Sequence, residues 1–124
     1  MTSRHQLHLR DHDFLSIEFA RDFASINLEF GWSDNLDASV MVLLKDVIGL
    51  RYCSTANPST ASLLALPCLA EEIRLEWVDN LAKAAERIGC TSRGSAGYVL
   101  TVTGAVQLAI LSLKVDVRKR SQKQ

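Results

Sequence analysis

From Leu63 to Leu113 the chain reads LLALPCLAEEIRLEWVDNLAKAAERIGCTSRGSAGYVLTVTGAVQLAILSL, and the folding of this stretch decides the architecture. A short apolar run stops at Pro67, which cannot continue a helix without losing an amide hydrogen bond. Cys68 to Glu72 restarts a helical pattern, with Glu71 and Glu72 in a first turn where acids suit the positive end of the dipole. Ile73, Trp77, Val78, Leu81, Ala85 and Ile88 keep one face apolar, and Gly89 ends the run. Cys90-Thr91-Ser92 reads as a short strand, and Arg93 to Gly97 as a turn with two glycines. Tyr98 to Val102 is aromatic and β-branched, so it reads as a second strand. Thr103 then caps a last helix with Val106, Ala109, Ile110 and Leu113 on one face.

Helix, turn, helix, two-stranded wing, helix is the order of a winged helix-turn-helix. The spacing therefore predicts a mainly α fold with a small β-wing and extra N- and C-terminal helices. Upstream, Phe14 to Leu28 carries apolar residues at helical spacing behind Asp11 or Asp13 as a cap, and Gly31 breaks it. Leu36 to Tyr52 repeats the pattern through Leu36, Val40, Leu43, Leu44, Val47 and Ile48. Pro58-Ser59-Thr60 opens the short helix that ends at Pro67. The expected organisation is one domain. Residues 1–11 are frayed, 12–52 form supporting or dimerisation helices, and 58–104 form the helix-turn-helix and wing. Residues 105–117 form the C-terminal helix and 118–124 a basic tail.

The 124 residues suffice for a buried core. No apolar run approaches the roughly 18 residues that span a bilayer, and the polar start MTSRHQLHLRDHD has no secretory apolar region. Cys53, Cys68 and Cys90 lack metal-ligand spacing and read as reduced thiols, so a cytoplasmic setting is expected. Net charge is zero but divided. Met1 to Glu86 carries 7 Lys/Arg against 13 Asp/Glu, and Arg87 to Gln124 carries 7 against 1. A basic half is a mark of polyanion contact, and basic tails also serve only to solubilise.

The segment YVLTVTGAVQLAIL, with Leu100, Thr101 and Gly104, resembles the second wing strand and following helix of the MarR-type winged-helix regulators. Leu64-Ala65 resembles the Leu-Ala of that family's first helix-turn-helix helix, and Trp77 to Leu81 its Val-Asp-x-Leu. The resemblance spans residues 58–115 and lacks the Asp-x-Arg-Arg of many family wings. It implies a homodimer through the Phe14–Leu28 and Val106–Leu113 helices, with two wings gripping a pseudo-palindromic site on double-stranded DNA.

On this reading the DNA-binding residues are Arg74, Asn80, Lys83 and Arg87 on the second helix, Arg93 at the wing tip, and Arg118, Lys119 and Arg120 in the tail. Each also has a plain reading as solvated surface charge. The helix offered to DNA is acidic, and carboxylates repel phosphate. Two functions follow: a dimeric transcriptional regulator, or a winged helix used for protein contact without DNA. His5, His8 and His12 form H-x2-H-x3-H without a completing ligand, so no metal is expected. No nucleophile elbow, P-loop or dinucleotide fingerprint is present, so neither catalysis nor a cofactor is expected.

Overall fold

The chain folds as a closed six-stranded antiparallel β-barrel. The computed structural model describes residues 6–21, 24–32, 35–54, 68–87, 89, 94–104 and 106–119. The strands are β1 (Leu7–Phe19), β2 (Ser25–Trp32), β3 (Asn35–Ser54), β4 (Cys68–Val78), β5 (Gly97–Gly104) and β6 (Val106–Lys119). One helix, α1 (Leu81–Arg87), lies between β4 and β5 among the described residues. The order around the barrel is β1-β2-β3-β6-β5-β4 and back to β1. Two three-stranded meanders, β1-β2-β3 and β4-β5-β6, thus meet edge to edge, through β3 against β6 and β1 against β4.

The physical cause is a period of two, not 3.6. Ser25 to Trp32 (SINLEFGW) buries Ile26, Leu28 and Phe30 at every second position. The same alternation buries Ile73 and Leu75 on β4, Val40, Val42 and Leu44 on β3, Leu100 and Val102 on β5, and Leu108 and Ile110 on β6. These side chains fill the barrel, which closes around a single apolar core. Phe14 and Phe30 face each other across β1 and β2 with ring centroids 5.1 Å apart. Trp77 and Tyr98 form an edge-on pair at 5.0 Å across β4 and β5.

Long strands must bend to close so small a barrel. β3 pairs with β2 as far as Lys45, and its far half runs on beside β6 to Ser54. The register slips between Val47 and Gly49, next to Asp46 in the left-handed region (φ 54°). β1 slips between Phe14 and Ser16, with Asp11 at φ 56°. Aspartate tolerates that conformation better than most side chains. Gly104 (φ 141°) sits beside the slip in β4 between Ala70 and Glu72, where a Cβ would stand 2.7 Å from the Glu71 amide nitrogen.

The helix α1 packs outside the barrel. Val99 and Leu111 are register partners on β5 and β6 that face outward, and α1 covers them with Leu81 and Ala85, one turn apart. Asn80 caps the helix by accepting from the Ala82 amide at 3.0 Å. The Leu81 amide donates to the Ser95 carbonyl at 2.8 Å.

The barrel corrects the mainly α winged helix-turn-helix, and with it the resemblance to MarR-type regulators. Leu36 to Tyr52 is strand β3, and the run that should have been the recognition helix is strand β4 up to Val78. Only its end, Leu81 to Arg87, is helical, and Gly89 follows it as expected. Val106 to Leu113 belongs to β6, and Thr103 is an outward residue of β5, not a helix cap. Tyr98 to Val102 is a strand, but of the barrel wall and not of a wing. The helix expected over 60–66 lies outside the described residues. The two helices assigned to a dimer are strands instead. Phe14, Ile26, Leu28, Leu108 and Ile110 face the barrel core, while Phe19 and Leu113 of the same segments stay exposed. The regulator and the DNA-free winged helix both rest on a recognition helix and a C-terminal helix that are strands here.

Candidate functional site

A barrel with a filled interior offers ligands its outer surface. The strongest candidate there is a cleft of about 400 Å³ between α1 and the outer face of β3, β6 and β5. Its floor is a transverse row of Arg51, Ala109 and Thr101. Arg51 pairs with Ala109, and Ala109 with Thr101, so all three point to one side. Thr103 lies two residues on from Thr101, Gln107 two before Ala109, and Arg87 reaches in from the last turn of α1. The described lining residues include two cations and no carboxylate.

Local structure explains how the two arginines share this space. The turn after α1 closes with the Gly89 amide donating to the Glu86 carbonyl at 3.2 Å. Gly89 has φ 77°, and a Cβ there would lie 3.1 Å from the Arg51 Nη1. The bare glycine therefore does two things: it takes the left-handed turn and leaves room for the Arg51 guanidinium. The Thr101 and Thr103 hydroxyls donate to the Arg74 and Glu72 carbonyls at 3.5 and 3.4 Å. Those lengths lie at the weak limit of hydrogen bonding, so both hydroxyls are available to rotate toward a ligand.

Two other surface regions differ in charge. A groove of about 190 Å³ is lined by Asn27 of β2, Met41 and Leu43 of β3, and Asp116 and Arg118 of β6. It lies toward the other end of the β3–β6 ladder from the first cleft, but the Arg118 Nε lies 3.0 Å from the Asp116 Oδ2 and the pair is neutral. On the outer face of β1 and β4, Glu72 takes a 2.6 Å contact from the His8 Nε2 and one of 3.3 Å from Arg74. The His8 hydrogen bond is the chief reason the Glu72 carboxyl sits below its ordinary pKa, with Arg74 adding to the effect.

The predicted DNA-binding residues fall apart accordingly. Asn80, Lys83 and Arg87 come together around α1, lining a groove of about 270 Å³ with Asp79. Asn80 is the helix cap. Arg74 lies on β4 between Glu72 and Glu76, at 3.3 and 3.9 Å. Arg118 is paired with Asp116, and Lys119 ends β6 far from the helix in the register. Arg93 and Arg120 lie outside the described residues. Of the histidines, His8 meets Glu72 and the His12 Nδ1 lies 2.8 Å from the Arg10 carbonyl, while His5 is outside the described residues. The described residues hold no cluster suited to a metal ion.

Arg51, Thr101, Thr103 and Gln107 line the candidate site without a sequence signal that marks them. Arg51 falls inside the helix expected over Leu36 to Tyr52, and Thr101 in the segment that resembles a wing strand. Only the strand register puts the two in one row.

No known family model and no curated protein matches the sequence. Among solved structures, the fold is similar to the crystal structure of an uncharacterized protein from Neisseria gonorrhoeae. The TM-score is 0.64 over 93% of this chain and 98% of that one, at 8% sequence identity, a likeness that shows the shared fold alone.

Proposed function

We propose that this chain is a non-catalytic recognition module that binds its ligand on the outer barrel surface, in the cleft between α1 and strands β3, β6 and β5. The observation that carries the reading is the contrast between inside and outside. The lumen is filled by the aromatic and aliphatic side chains of the core, whereas the outer cleft gathers Arg51, Arg87, Thr101, Thr103 and Gln107. The described lining offers donors and permanent cations but no carboxylate or imidazole to act as a general base, which favours binding over catalysis. A cytoplasmic setting fits the free thiol of Cys68, which burial and the nearby Asp13 push above its ordinary pKa and so toward the unreactive form. No helix among the described residues is long and apolar enough to cross a membrane.

The test is ligand mapping by NMR with a small-fragment library on isotope-labelled protein. Ligands that bind should move the amide signals of Thr101, Thr103 and Gln107. Movement of the lumen methyls of Leu28, Leu100 and Ile110 instead would place binding inside the barrel and refute the reading.

A further inference from the structure

We infer that the cleft beside α1 is an oxyanion site, built for a phosphate-type group with oxygens in several directions. The inference rests on the outer-surface reading and names the ligand class for it. Its first support is convergence. Arg51 rises from β3, Arg87 comes from α1, Gln107 from β6, and Thr101 and Thr103 from β5, so donors reach one cleft from four elements. A planar carboxylate is satisfied by one guanidinium fork. A tetrahedral oxyanion uses donors on more than one side.

The second support is electrostatic and comes from within the molecule. The groove toward the other end of the β3–β6 ladder is lined by one arginine and one aspartate already joined at 3.0 Å, so it presents no net charge. The cleft beside α1 holds two cations, and no acid stands among its described lining residues. Arg51 has contacts of its own in the fold, and the five donors of a guanidinium serve a ligand as well.

The third support is Gly89. A Cβ there would lie 3.1 Å from the Arg51 Nη1, so the guanidinium would have to give by a few tenths of an ångström, and the backbone at φ 77° would be strained. Gly89 thus leaves Arg51 room beside the end of α1. At about 400 Å³ the cleft exceeds the needs of a bare oxyanion. It falls in the small-ligand range of about 300–1,000 Å³, which leaves room for the organic part of a phosphate monoester.

The experiment titrates the full chain with inorganic phosphate, phenyl phosphate and acetate at constant ionic strength, followed by amide chemical shifts. Both phosphates should give saturable shifts at Thr101, Thr103 and Gln107, and acetate should bind more weakly. Tighter binding of phenyl phosphate identifies an organic monoester as the source, and equal binding identifies the free ion. Arg87→Gln and Arg51→Gln should each weaken phosphate by about tenfold, equivalent to about 1.4 kcal/mol. Arg51→Lys, which keeps the charge and loses the fork, should weaken it too, and Arg118→Gln in the neutral groove should not. Unaltered affinity in folded Arg87→Gln and Arg51→Gln, or acetate binding as tightly as phosphate, overturns the inference. If phosphate fails while neutral fragments still map to the cleft, the oxyanion class is wrong and the outer-surface reading survives.

Discussion

At the residue scale, side chains whose sequence context suggested DNA contact do structural work. Asn80 was expected to meet a base or a phosphate. It holds the first turn of α1 through the Ala82 amide. Asn80→Ala should lower stability by about 1 kcal/mol, the usual weight of such a cap, while Asn80→Asp should be close to neutral; denaturant unfolding measures both. Gly89 is the opposite case, a residue defined by what it lacks. Gly89→Ala forces a side chain into the left-handed region at φ 77°, so unfolding should show a loss of about 1–2 kcal/mol. Glu72 gives a pH prediction. Its folded pKa is depressed, chiefly by the His8 hydrogen bond. Its contribution to stability is therefore complete above the ordinary carboxylate range and fades as pH falls through the lower folded value. Unfolding curves across the acid range should show a shallower loss of stability in Glu72→Gln than in the parent. An equal slope would remove Glu72 from the account.

At the element scale, α1 is an addition to a barrel that is complete without it. Leu81 and Ala85 rest on Val99 and Leu111, a small cluster separate from the lumen core. Leu81→Ala should cost about 2–5 kcal/mol locally. Hydrogen exchange should show the loss as faster exchange at α1 than in the β3–β6 ladder, because small clusters open before cores do. The elements also show what the sequence made readable. Tyr98 to Val102 was legible as a strand because aromatic and β-branched residues dominate it. The end of α1 was legible because Gly89 follows it. The rest is ambiguous in the sequence for a physical reason. A near-continuous apolar run such as Val40 to Leu44 satisfies helical and strand periods equally, and Leu, Ala and Glu in CLAEEIRLEW favour a helix on propensity. The alternation in SINLEFGW and in IRLEW was present. It outweighs propensity because closing β1 onto β4 brings Phe14 of β1 and Ala70, Ile73 and Leu75 of β4 into one core, with Leu7 and Leu9 packed against it.

At the scale of the whole molecule, topology decides what kind of site is available. Two meanders joined through β3–β6 and β1–β4 enclose a core in which the Phe14 and Phe30 rings pack at a tilt. The grooves lie on the outer face, where one is lined by the Asp116–Arg118 pair and the other by two arginines. Arg87 could be named from sequence as a surface cation. Its partner Arg51 could not, because the two lie in different meanders and meet only when the barrel closes. Cross-strand nuclear Overhauser contacts report on that closure. Backbone contacts are expected between Leu9 and Ile73 across β1 and β4, and between Leu44 and Val115 across β3 and β6. Sequential helical contacts running through 36–52 and 68–78, with those cross-strand signals missing, would contradict it.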